Sequence, residues 1–151
     1  MTMAQSHSFP TEALLLGPLV EWLGRRRWIR HDTLLVSEFP WFGRYVDLAV
    51  LTRSANATAF ELKLRDNGRA LEQAASNALS FDRSYVVTAT NPKNGFLTRA
   101  HQVGVGVILV NQGTVRLLQE AKVTPRSPLL RPRLLAQLRK AESCLSPSLT
   151  M

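Results

Sequence analysis

Two carboxylates and a lysine stand in otherwise apolar segments of the chain and could do chemistry together. Asp47 lies within residues 45–52, and Glu61 and Lys63 lie within residues 58–64. An ionised side chain in an apolar environment costs free energy unless it is paired. Two neighbouring carboxylates repel each other, and a divalent cation between them removes that repulsion. The pattern favours a metal-assisted reaction over a purely structural role.

The chemistry suited to such a set is the hydrolysis of a phosphodiester. Mg²⁺ takes one or two carboxylates together with waters and phosphate oxygens, and it activates a bound water. Lys63 would orient or deprotonate the attacking water, or stabilise the charge that develops on the phosphorane. The alternative is a structural cluster of ion pairs on a solvent-exposed face of a hairpin.

The two apolar segments predict β-strands, and the short polar linker 53–57 predicts an antiparallel hairpin between them. If the hairpin is centred on Ser54, Asp47 and Glu61 each lie seven residues from the centre and face one another. Alternation places Lys63 on the same face as Glu61. A shift of one residue in the register would put the two carboxylates on opposite faces.

The remaining elements indicate a mixed α/β fold. Apolar residues at helical spacing predict a first helix over residues 11–26, which either kinks at Gly17–Pro18 or begins there. Residues 33–39 predict the first strand, closed by Pro40. Further helices are predicted over residues 68–81 and 97–102, and further strands over 83–90, 105–110 and 115–118. Because the hairpin strands are apolar on both faces, we expect a central mixed sheet with helices on both sides.

The length of 151 residues suits one domain, which we expect over residues 11–120. Residues 121–151 form a short basic, proline-containing C-terminal extension, within which residues 133–141 predict an amphipathic helix. Residues 14–20 are the most apolar early stretch and are too short to span a bilayer of about 30 Å. We therefore expect no membrane segment. The lone Cys144 excludes an internal disulfide and favours the reducing cytoplasm.

The charge balance favours a polyanionic partner. Lys and Arg number 19 against 11 Asp and Glu, so the formal net charge is +8. Such a surplus attracts nucleic acid or an anionic membrane surface, and it does not choose between them.

The spacing of the three candidate residues resembles a known family. Asp47, thirteen intervening residues, Glu61-Leu62-Lys63 and a following helix with Gln73 are similar to the PD-(D/E)XK nuclease superfamily. The core of that family is a helix, three strands, a helix and a further strand, the αβββαβ restriction-endonuclease-like order predicted over residues 11–110. Val46 stands where the family pattern has proline, at a position that shapes the backbone rather than the chemistry.

The resemblance implies a role for each residue of the site. Metal ligands would come from Asp47, Glu61 and Leu62, with Mg²⁺ or Mn²⁺ as the cofactor, and Lys63 would assist the water. An accessory acid is expected at Glu38, with Glu21 on the first helix as the competing candidate, and Gln73 is expected to point at the site. Arginines expected to hold phosphates at the edges of the site are Arg25, Arg26, Arg27, Arg44, Arg65 and Arg69.

From these residues we expect a metal-dependent nuclease that hydrolyses nucleic acid, with DNA as the first expectation. Two alternatives of another class stay open. One is a module of the same fold that binds nucleic acid without cutting it. The other is an assembly subunit whose C-terminal leucines meet a partner protein or a second copy of the chain.

Overall fold

The computed structural model describes residues 12–64, 68–124 and 127–143, so Arg65 and Cys144 lie outside the described residues. Six strands form one sheet in chain order. The strands are β1 (Leu34–Trp41), β2 (Arg44–Leu51), β3 (Ala57–Lys63), β4 (Arg83–Thr88), β5 (Gly106–Asn111) and β6 (Thr114–Gln119). The helices are α1 (Leu16–Arg25), α2 (Gly68–Asn77), α3 (Asn94–Gln102) and α4 (Leu130–Ser143). The predicted mixed α/β fold, with its order of helix, three strands, helix and strand, is confirmed.

The sheet is mixed because some strands are joined by short turns and others by long connections that contain a helix. The first three strands pair antiparallel, β3, β4 and β5 run parallel, and β6 returns antiparallel to β5. A parallel pair needs a crossover connection. Helix α2 supplies it between β3 and β4, and α3 supplies it between β4 and β5.

Both faces of the sheet are covered by helices, which explains strands that are apolar on both faces. On one face, Leu19 and Leu23 of α1 pack in a cluster with Phe60 and Ile108 of the sheet. Helices α2, α3 and α4 cover the other face. No helix in the described part of the chain has the length and apolar character needed to cross a membrane.

The start of helix α1 decides whether the first helix kinks at Gly17–Pro18 or begins there. It begins at Leu16, so Pro18 lies in the first turn, where its missing amide hydrogen costs nothing. The helix ends in a Schellman motif, in which Trp28 N donates to the Leu23 carbonyl at 2.9 Å and Arg27 N donates to the Gly24 carbonyl at 3.0 Å. Arg27 takes the left-handed position at φ 62° that glycine usually occupies there.

The C-terminal segment belongs to the same core as the sheet. Helix α4 is longer than the predicted span of residues 133–141, and its Leu134 and Leu138 are fully buried among side chains of β1 and β2. Gln137 Nε2 also donates to the Pro40 carbonyl at 2.7 Å. Strand β1 continues through Pro40 to Trp41, which an edge strand allows. Leu134 and Leu138 therefore stabilise this chain's own fold.

A buried ion pair joins the segment that begins α4 to the sheet. Arg131 donates to both carboxylate oxygens of Asp82, at 2.9 and 3.1 Å, and also to the Ala55 carbonyl. Asp82 is 1% exposed and accepts a further bond from Ala57 N at 2.7 Å. The pair thus connects the start of α4, the β2–β3 turn and the start of β4.

Replacing Arg131 tests this connection. We expect Arg131→Met to lower the free energy of unfolding by about 3 kcal/mol, because it leaves the Asp82 carboxylate buried without its cation. Arg133→Met is the matched control, since Arg133 is exposed on the same helix. Urea unfolding measures both variants, and equal losses would contradict a specific role for the ion pair.

Candidate active site

Strands β1 and β2 share an irregularity where Glu38 faces Asp47. Their pairing skips these two residues and keeps the same register on either side. Glu38 has φ 51°, a left-handed conformation that costs a non-glycine residue about 1 kcal/mol. Beyond this point each strand presents the opposite alternation, so that Val46 and Ala49 lie in one apolar cluster. The break in the ladder leaves Asp47 free to bond outside it.

The pairing of β2 with β3 ends just before the site. Leu48 pairs with Phe60 and Leu51 with Ala57, which confirms the hairpin register predicted from a centre at Ser54. Past the last pair, Asp47 Oδ2 accepts a hydrogen bond from Leu62 N at 2.7 Å. The carboxylate takes a position that a main-chain carbonyl of β2 would hold in a continued ladder. The Glu61 side chain lies close enough to Asp47 to affect the pKa of the Asp47 carboxyl.

Glu61 is buried and held from two elements. It is 2% exposed, and its Oε2 accepts Asn77 Nδ2 at 2.9 Å and lies 3.5 Å from Arg44 Nη1. Arg44 Nη2 donates further to the Gln73 carbonyl at 2.9 Å and to Asn77 Oδ1. Arg44, predicted to hold phosphates, therefore positions Glu61 against helix α2.

Burial and neighbouring negative charges disfavour the ionised carboxylates. Burial, followed by the negative charge of Asp47, raises the pKa of Glu61 to about 7. Burial also raises the pKa of Asp47, and the charge of Glu38 adds to that rise. The hydrogen bond from Leu62 N and the positive charge of Lys63 act in the opposite direction on the Asp47 pKa. Lys63 is half-buried beside both acids.

A further acid, Glu12, lies near this group and was not among the predicted site residues. Burial raises the pKa of Glu12, the charge of Lys63 lowers it, and the charge of Asp47 raises it. Glu21, the competing accessory acid on the first helix, is instead exposed and pairs with Arg25 at 3.3 Å. The predicted first helix, residues 11–26, includes Glu12. The expectation of an accessory acid on that helix could therefore have included Glu12, which lies ahead of α1 in the structure.

Gln73 reaches the same region from α2. Its carbonyl accepts the bond from Arg44, and its side-chain Oε1 is buried with no hydrogen-bond partner among the described residues. A buried oxygen without a donor costs about 1–3 kcal/mol. A water, a cation or a substrate donor would offset that cost.

Asp47 and Glu61 fit a divalent cation of the oxygen-preferring kind. Within residues 12–64, 68–124 and 127–143, no group of three or more His, Cys, Asp or Glu side chains is arranged to hold a metal ion. Mg²⁺ does not need such a group, because it binds through one or two carboxylates plus waters and substrate phosphates. Leu62 can contribute only its carbonyl, which in a pleated strand points to the same edge as its N–H and hence toward β2.

Of the remaining predicted arginines, Arg25, Arg26 and Arg27 stand at or just after the end of α1. Arg25 and Arg26 lie at the end of α1, a ten-residue helix about 15 Å long, and Glu12 precedes its start. Arg69 is exposed in the first turn of α2. The structure thus brings Glu38, Asp47, Glu61, Lys63 and Arg44 together, and it places Arg25 and Arg26 elsewhere.

Comparisons with known proteins bear on the fold. No family model matches the chain, and no curated protein matches it. A protein of unknown function from Silicibacter pomeroyi, SPO1766, is similar in structure with a TM-score of 0.51 and 15% identity, over 75% of this chain and 76% of that one. SfsA from Pyrococcus furiosus in complex with Ca²⁺ aligns with a TM-score of 0.41 and 12% identity, over 75% of this chain and 65% of its own. The likeness to SPO1766 is one of fold.

The raised pKa of Glu61 predicts how stability depends on pH without divalent cations. Between about pH 4.5 and 7 the unfolded chain has released this proton and the folded chain still holds it, so stability falls as pH rises. We expect the wild type to lose up to about 3 kcal/mol from pH 4.5 to pH 8. Urea unfolding in EDTA measures the loss.

The neutral variant Glu61→Gln cannot titrate at this position and should lose much less over the same interval. A loss as large as that of the wild type would show that Glu61 is not the group responsible.

Proposed function

We propose that this protein is a metal-dependent nuclease of the PD-(D/E)XK type that hydrolyses phosphodiester bonds of nucleic acid, with DNA as the expected substrate. The observation that carries the proposal is the contact between the Asp47 and Glu61 carboxylates beside Lys63, at the point where β2 and β3 separate. Two neighbouring carboxylates, one buried and one half-buried, repel when both are ionised, and a bound cation offsets that repulsion.

The proposed division of roles follows from the contacts. Asp47 and Glu61 would hold Mg²⁺ or Mn²⁺, together with the Leu62 carbonyl. When bound, the cation supplies Lewis-acid polarisation of the phosphate and lowers the pKa of a water. Lys63 would orient or deprotonate the attacking water, or stabilise charge that develops on the phosphate. Gln73 Oε1 has no hydrogen-bond partner among the residues that the structure describes, and it would accept a hydrogen bond from that water.

Arg44 and Asn77 would act through Glu61 and not on the substrate. Both contact Oε2, so they fix one carboxylate oxygen and leave the other without a donor among the described hydrogen bonds. Arg44 is itself held by two oxygens of α2. The orientation of Glu61 therefore depends on the packing of α2 against β3.

One observation favours the alternative of a module that binds nucleic acid without cutting it. Glu61 already has a cation, Arg44, and Asp47 already has a donor, Leu62 N. In that case the cluster would be a satisfied structural network, and nucleic acid would bind without any requirement for a divalent cation. Cleavage assays separate the two functions.

Loss of cleavage on replacing Lys63 or Asp47 is the central prediction. We expect Mg²⁺- or Mn²⁺-dependent cleavage of single-stranded, duplex or branched DNA by the wild type. Lys63→Ala and Asp47→Asn should each reduce the rate by at least about 100-fold, because each removes a group that acts on the reacting atoms or their cation. Lys122→Ala is the matched control at an exposed lysine. Equal cleavage by the wild type and both site variants would overturn the proposal.

Cation binding can be measured without any substrate. Binding to the folded state alone stabilises it by about 2.7 kcal/mol at one hundred times Kd, so Mg²⁺ or Mn²⁺ should raise the thermal midpoint at pH 8. Asp47→Asn should abolish the increase, and Glu12→Gln should reduce it. Glu21→Gln should retain it in full, since Glu21 lies exposed beside Arg25. An increase that survives Asp47→Asn would place the cation elsewhere.

A further inference from the structure

A second polar cleft lies around Trp28, beyond the C-terminal end of α1. An inner cavity of about 410 Å³ is lined by Trp28, Tyr85, Asn56, Thr58, Arg83 and Glu120, among others. An outer cavity of about 490 Å³ is lined by Arg27, Arg30 and Arg53. Trp28 and Thr52 line both cavities, so the two are neighbours. We refer to the pair as the Trp28 cleft.

The outer cavity carries an excess of positive charge. Arg27 and Arg30 are exposed, and neither forms an ion pair with a carboxylate in the part of the chain that the structure describes. The one acid that lines this cavity, Asp32, lies 3.8 Å from Arg53. Unpaired guanidinium groups of this kind bind phosphate oxygens.

The inner cavity offers the groups that recognise a nucleobase. Asn56, Thr58 and Glu120 provide donors and acceptors, and the partly exposed Trp28 provides aromatic surface. Tyr85 is 1% exposed and stacks on Phe60, so it supports the wall of the cavity from behind. The Tyr85 hydroxyl donates to Glu120, which engages the one carboxylate in this cavity. A volume of about 410 Å³ is within the range of small-molecule sites.

The end of α1 holds this arrangement in place. The Schellman motif folds Trp28 back onto Trp22, with ring centroids 5.2 Å apart, and Arg26 lies 4.9 Å above the Trp22 ring. Trp28 also contacts Tyr85 at a centroid distance of 5.6 Å. The indole is therefore a rigid wall between the cavities, and Arg27 is presented from a left-handed turn.

We propose that the Trp28 cleft binds a nucleotide unit, with the base in the inner cavity and the phosphate on Arg27 and Arg30. The unit is either a free nucleotide or one residue of a single strand, since both present a base next to a phosphate. Aromatic walls combined with a cationic groove are the usual means of binding single-stranded nucleic acid.

The cleft is separate from the carboxylates. Thr58, which lines the inner cavity, and Lys63 lie at opposite ends of β3, five residues apart and thus about 17 Å. Binding at the cleft goes beyond the proposed cleavage and does not depend on it. It is therefore measured on the Lys63→Ala variant in EDTA, where cleavage cannot occur.

The test compares three probes and three variants in that background. The probes are a labelled single-stranded DNA of about ten nucleotides, a deoxynucleoside monophosphate and inorganic phosphate. The variants are the double substitution Arg27→Ala with Arg30→Ala, the cavity-filling Thr58→Met, and the control Arg139→Ala. Arg139 is exposed on α4, which covers the opposite face of the sheet. Thermal midpoints confirm that each variant is folded.

We expect the double variant to bind the oligonucleotide at least about tenfold more weakly. The slope of log K against log salt should fall by about 0.7, since the two arginines hold one phosphate and each phosphate contact on a single strand contributes about 0.7. Thr58→Met should weaken binding without changing the slope, and Arg139→Ala should change neither quantity. Wild-type affinity and slope in the folded double variant would overturn the proposal.

The probes then identify the source of the nucleotide. Competition by the monophosphate, with quenching of tryptophan emission, would support a site for free nucleotides. Binding of the oligonucleotide alone would support a site for a strand. Inorganic phosphate that binds as tightly as the nucleotide, with the same affinity in Thr58→Met, would overturn the assignment of the inner cavity to a base.

Discussion

The close approach of Asp47 to the buried Glu61 is the constraint around which the candidate site is built. Burial makes ionisation of both carboxylates less favourable, and the negative charge of Asp47 adds to the effect at Glu61. The chain offsets part of this cost with a main-chain donor from Leu62, an amide from Asn77 and a guanidinium from Arg44. Every one of these partners is drawn from a different place in the fold. These stabilising contacts therefore connect the β2–β3 hairpin, helix α2 and the site.

A strand irregularity at Glu38 and Asp47 lies beside this contact. The pairing of β1 with β2 skips these two residues and keeps the same register on either side. Glu38 is left-handed, and the Asp47 carboxylate accepts a hydrogen bond from Leu62 N beyond the last pair of β2 with β3. A strained backbone position is a recurrent feature of functional sites. Here it coincides with the proposed carboxylate site.

The positive charges described above lie in three regions with different roles. Arg44 pairs with Glu61 and offsets the negative charge of that carboxylate inside the site. Arg27 and Arg30 lie beyond the far end of α1, on the outer wall of the Trp28 cleft. Arg131 forms an ion pair with the buried Asp82, and this pair connects α4 to the sheet. A net charge of +8 therefore describes several different roles, of which only the exposed arginines suit a polyanionic partner.

Local pattern determined the elements and one critical register. The strands, the helices and the position of Asp47 opposite Glu61 follow from alternation, helical spacing and the polar linker around Ser54, because these signals act between residues close in the chain. The assignment of the carboxylates to a cation, and of Lys63 to a water, rests on that register and on the resemblance to PD-(D/E)XK nucleases.

Only the tertiary structure decided which partners these residues have. The role of Arg44, the approach of Glu12, the docking of α4 through Arg131 and the cleft beside Trp28 depend on contacts between distant segments. Contacts of this kind leave no periodic pattern in the sequence, because they depend on which segments the fold packs side by side. Arg25 and Arg26 were expected at the edges of the site from the resemblance, whereas they stand at the end of α1 and Glu12, which lies near the carboxylates, precedes its start. Sequence determined the candidate chemistry, and packing determined which charges surround it.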